Sequence, residues 1–143
     1  MRACVMTGSS ALPLFHVVGF SGHRQVVNPA AVAQAIGAEL ETLRRDVPGE
    51  WIALSSVAEG SDQLFIAQAR ALEMSWHAIL PLPRAEFQKD FQAADWTHVE
   101  TLLAHAENVR VISENGSRED AYLDCGMETV NGSDILLAVW DGA

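Results

Sequence analysis

The sequence predicts an α/β fold, a Rossmann-like three-layer sandwich built on a five-stranded, mostly parallel sheet. Three observations predict it. Short apolar runs of strand length alternate with longer stretches of helical periodicity. The runs are continuously apolar, as expected of parallel strands buried on both faces. Gly, Pro, Asn and Ser clusters separate most of the segments.

The elements follow in order. Leu14 to Phe20 is the first strand, set between Pro13 and Ser21-Gly22. Asn28 caps the first helix and Pro29 takes its first position, where the missing N–H costs nothing; Val32, Ile36, Leu40 and Leu43 form its apolar face, and Pro48-Gly49 ends it. Trp51 to Val57 is the second strand. Glu59-Gly60-Ser61-Asp62 turns into a second helix, whose apolar face is read as Leu64, Ala67, Ala71 and Met74. Trp76 to Leu82 is the third strand, stopped by Pro81 and Pro83. A short helix over Arg84 to Phe91 precedes a longer one from Trp96 to Ala106, with Val99, Leu102, Leu103 and Ala106 on one face. Asn108 to Ile112 is the fourth strand, Arg118 to Val130 a helix aligning Tyr122, Cys125 and Thr129, and Ile135 to Trp140 the fifth strand.

At 143 residues the chain has the size of one domain, 1–143, with residues 1–13 as an N-terminal extension. Only Asp141-Gly142-Ala143 follow the fifth strand, so the usual helix after it is lacking. Its outer face is left for further chain or a partner subunit to cover, and a homodimer is expected. Net charge is -10 with nine Lys and Arg, a balance that repels phosphate backbones and anionic lipids; nucleic acid and membranes are not expected partners. Cys4 and Cys125 form no C-x-x-C pair, which points to free thiols, no metal and a reducing compartment. With no signal peptide or spanning segment, a cytoplasmic location is expected.

Ligands of open parallel sheets bind beyond the carboxyl ends of the strands, near the reversal of strand order. Gly19, Ser21, Gly22, His23 and Arg24 follow the first strand, where glycines admit close backbone approach and the polar side chains supply donors for an anion. After the second strand come Glu59, Gly60 and Asp62. Glu59 is the candidate catalytic carboxylate, able to polarise a water or accept from ribose hydroxyls. Asp62 also suits the start of a helix, as a cap and as a complement to its dipole. Arg118 opens the helix after the fourth strand, where a ligand phosphate or a surface pair with Glu119 or Asp120 would explain a cation. Asp141 and Gly142 follow the fifth strand. His98 and His105 are too far apart on their helix to share a metal. No cofactor is implied.

With these segments placed, the chain resembles the SLOG superfamily, the Rossmann-like group of lonely-guy phosphoribohydrolases, lysine decarboxylase-like proteins and DNA-processing protein A. The resemblance is in motif order. It is carried by Ser21-Gly22-His23-Arg24, by Leu54 to Asp62, by Leu80-Pro81-Leu82-Pro83 and by Asp134 to Gly142. It implies binding of a nucleotide or nucleotide-derived small molecule, in a sensor-type domain or in a nucleoside monophosphate phosphoribohydrolase with Glu59 stabilising an oxocarbenium-like ribose. The family continues into a Gly-Gly-Thr loop and a Glu-bearing helix that bind phosphate and ribose, and this sequence stops before them. A non-catalytic assembly module is the third reading.

Overall fold

The computed structural model describes residues 14–112 and 117–140. Five strands, β1 (Phe15–Ser21), β2 (Glu50–Ser55), β3 (Ser75–Leu80), β4 (Asn108–Val111) and β5 (Ile135–Ala138), form one sheet in the order β4-β3-β2-β1-β5. Every pairing is parallel, so the sheet is wholly rather than mostly parallel. The helices are α1 (Pro29–Asp46), α2 (Ser61–Ala71), the single turn α3 (Arg84–Phe87) with a 3-10 turn behind it, α4 (Ala93–Ala104) and α5 (Arg118–Asn131). The architecture is the Rossmann-like α/β arrangement, a parallel sheet flanked by helices.

Local chemistry explains most boundaries. The Asn28 side chain accepts from the Ala31 amide, and Pro29 occupies the first turn of α1 as expected. Ile36 and Leu40 are buried beneath α1. On α4 the predicted stripe is buried at Val99, Leu102 and Leu103. The face of α2 is only partly the one read from the sequence, for Met74 is buried and Leu64 packs against the core. Phe65, Ile66 and Ala69 are buried, whereas Ala67 and Ala71 are exposed. Phe65 sets this rotation by stacking on Phe20 of β1, ring centroids 4.8 Å apart.

Strand alternation divides the interior in two. Val18, Phe20, Ala53, Trp76, Ala78 and Leu80 face the larger core with residues of α1, α2 and α4. Leu54 and Ile79 face the other way, against Cys125 of α5. The chain steps outward one strand at a time from β1 to β4, then returns to place β5 on the far side of β1. The reversal of strand order therefore lies between β1 and β5, and Asp134 secures it. Its carboxylate accepts from the Val17 amide at 2.8 Å, and its own amide donates to the Val17 carbonyl at 2.8 Å. Among the described residues no helix is long and apolar enough to cross a membrane.

Candidate functional site

Two loops at the carboxyl ends of β1 and β2 interlock to form one wall of a cleft. The His23 carbonyl accepts from both the amide and the hydroxyl of Ser61, the first residue of α2, at 3.1 and 2.8 Å. This satisfies a helix-start donor that α2 cannot satisfy itself, because its cap residue, Gly60, has no side chain. Gly60 has a φ of 84°, and a Cβ there would overlap the Arg24 carbonyl. A Cβ at Gly22 would likewise run into the Ser61 side chain. Each glycine therefore lets one loop close on the other.

The resulting cleft has a volume of about 180 Å³. Gly22 and Arg24 line it from the β1 loop, Ser56, Ala58 and Asp62 from the β2 side, and Tyr122, Cys125 and Gly126 from α5. The Arg24 guanidinium lies over the Tyr122 ring, 5.9 Å from its centroid. Tyr122 donates its hydroxyl to Asp90. Burial, reinforced by that carboxylate, pushes the phenol up to about 12. The ring is thus fixed between a cation on its face and an anion at its tip.

Asp62 is the unusual group. Burial in the cleft raises its pKa to about 7, against the opposing pull of the Ala58 amide, which it accepts from, and of the Arg24 charge. A carboxyl poised there can accept from a sugar hydroxyl when charged and donate when neutral. Cys125 has the opposite character. Its thiol, pushed up to about 12 by burial and then by the Asp62 charge, donates to the Ile79 carbonyl at 3.5 Å, and is no nucleophile near neutral pH.

The expected site residues separate clearly. Ser21, Gly22, Arg24 and Asp62 line the cleft. His23 enters through its carbonyl. Gly19 was expected to admit a ligand, but its space is taken by protein: a Cβ there would overlap the Ser133 side chain and lie 3.2 Å from the Thr129 carbonyl. Gly60 is likewise filled by the Arg24 backbone. Asp62 does not cap α2 but reaches back to Ala58. Glu59 is half-buried and is not among the lining residues. Arg118 pairs with Asp90 and Glu86, at 3.4 and 3.7 Å, rather than with Glu119 or Asp120 or into the cleft. Asp141, Gly142, Cys4, the 1–13 extension and most of the Glu114 to Ser117 turn lie outside the described residues. His98 and His105 are exposed. Among the described residues no cluster of His, Cys, Asp or Glu is arranged to hold a metal.

The α5 contribution was missed by sequence reasoning, which read Tyr122 and Cys125 only as a buried stripe. The available signal was Gly126, a glycine inside a helix.

The fold and cleft define the class, a Rossmann-like parallel α/β protein with a cleft at the carboxyl ends of β1 and β2. No family model matches the chain, and no curated protein matches it significantly.

Proposed function

We propose that this protein binds a nucleotide or nucleotide-derived small molecule at the carboxyl ends of its strands, as a sensor-type domain. One observation carries the reading: Arg24 and Asp62 line the same cleft at the carboxyl ends of β1 and β2, one able to hold phosphate and the other to hydrogen-bond sugar hydroxyls. The motif order shared with the SLOG superfamily supports the same ligand class. A hydrolase with Glu59 as its catalytic carboxylate has less support, because Asp62 rather than Glu59 lines the cleft.

Calorimetric titration with AMP and with ADP-ribose tests the reading. Saturable heat that is lost in Arg24→Ala is expected; no heat from either compound overturns it.

Homodimer formation belongs to the same proposal. Ile135 and Leu136 on the edge strand β5 are 36% and 39% exposed, which supports pairing there. Sedimentation showing only monomer at tens of micromolar, about the range of weak dimers, would reject it.

A further inference from the structure

The cleft between Arg24 and Asp62 is smaller than the roughly 300–1,000 Å³ usual for small-molecule sites. It does not end at α5. A groove of about 460 Å³ runs on over the outer face of that helix and shares Ser21, Tyr122, Gly126 and Val130 with the cleft. Its character changes on the way. Among the described residues none that line the groove is charged, and Leu123 and Met127 in its walls are 63% and 55% exposed.

Gly126 sits where the two spaces meet, in the interior of α5. A glycine there costs the helix about 1 kcal/mol relative to alanine. Gly22 and Gly60 are each required by a neighbouring chain segment. Gly126 is not, because among the described residues a Cβ added to it would meet nothing within 4 Å. Its φ is not positive. The missing side chain therefore serves no contact among the described residues, and exposes helix backbone to whatever enters the groove. A flat, uncharged ring fits that opening. Its faces would contact Leu123, Met127 and the bare helix, and its polar edge would reach Ser21 and Asn131.

We propose that the nucleobase of the ligand lies against α5 over Gly126, while its sugar and phosphate occupy the cleft between Arg24 and Asp62. This rests on the nucleotide reading above and adds the ligand's direction: charge toward β1 and β2, base toward α5. A nucleotide is long enough to occupy both spaces, whereas an isolated sugar phosphate would leave the groove empty.

The test titrates AMP, adenosine and ribose 5-phosphate into the wild-type protein, Gly126→Ala and Gly126→Leu, with melting temperatures and sedimentation recorded for each. Gly126→Ala is expected to melt at or above the wild-type temperature. Gly126→Leu is expected to weaken AMP and adenosine by about tenfold or more and to change ribose 5-phosphate by less than about twofold. Unchanged AMP affinity in Gly126→Leu overturns the placement of the base while leaving the nucleotide reading standing. Equal weakening of AMP and ribose 5-phosphate overturns it too. A wild-type dimer split by Gly126→Leu with AMP affinity intact would make the groove a contact between copies, again overturning it. Failure of all three compounds to bind the wild-type protein removes the nucleotide reading and this inference together.

Discussion

The His23 carbonyl takes two hydrogen bonds from Ser61, one from its amide and one from its hydroxyl, and so fastens the β1 loop to the start of α2. Ser61 is fully buried, so the hydroxyl has no water to fall back on. Ser61→Ala should destabilise the protein by about 1–2 kcal/mol. Urea unfolding checks this, with a lower midpoint and an unchanged slope expected.

Gly60→Ala should cost more. A φ of 84° with a ψ of -127° is a conformation essentially confined to glycine, costing a residue with a Cβ about 1–3 kcal/mol. The atom it would strike is the Arg24 backbone, which cannot swing aside as a side chain end can. Thermal unfolding should place this variant below Ser61→Ala, and nucleotide binding should fall with it because Arg24 moves.

The two arginines near the cleft should behave differently. Arg24→Ala removes the only arginine among the described residues that line it, and a charged hydrogen bond to phosphate is worth about 1.5–3 kcal/mol, or roughly tenfold to more than a hundredfold in affinity. Arg118 makes partly exposed pairs with Glu86 and Asp90. Arg118→Ala should change stability by less than about 1 kcal/mol and leave affinity within about threefold. Parallel calorimetry and urea melts of the two variants separate these outcomes.

Asp62 should make stability fall as pH rises. Its pKa is near 7 in the folded chain and near the ordinary 3.8 when unfolded. Between those values the folded state holds a proton that the unfolded state has released, so raising the pH favours unfolding. The loss begins near pH 4 and is complete a little above pH 7. Its upper bound is about 4 kcal/mol, reduced by water entering the cleft. Asp62→Asn keeps an acceptor for the Ala58 amide and cannot ionise. Urea melts at pH 4.5 and 8 should show Asp62→Asn gaining on the wild-type protein by at least about 1 kcal/mol across that interval. A constant difference would mean that the carboxyl titrates normally.

Cys125 should resist alkylation. With its thiol pushed up to about 12 and bonded to the Ile79 carbonyl, little thiolate is present at pH 8. Peptide mapping after iodoacetamide treatment should find Cys125 unmodified in the native protein and modified in urea.

Local rules made some of this molecule legible and left other parts hidden. The Asn28-Pro29 start of α1 and the Val99, Leu102, Leu103 stripe of α4 depend on neighbours in sequence, and both stand as read. The face of α2 stands only in part, because Ala67 and Ala71 compete with Phe65, Ile66 and Ala69, and the ring of Phe20 favours the second set. That the loops after β1 and β2 would come together was legible, since parallel strands end side by side. What each residue does within them was not. Gly19 and Gly60 are occupied by Ser133 and the Arg24 backbone, partners more than thirty residues away. Arg118 is drawn off by Glu86 and Asp90. The contribution of Tyr122 and Gly126 depends on α5 lying over the ends of β1 and β2, which no local pattern encodes.

The pairing of Val18 with Ile135 has a kinetic consequence. β5 is made over a hundred residues after β1, so that β1 edge stays open until β5 has emerged. β1 through β4 can zip successively through near-neighbour crossovers, whereas α5 and β5 must find β1 across the whole intervening chain. One wall of the cleft thus depends on the longest-range pairing in the sheet, and any ligand it holds would act as a latch on that closure.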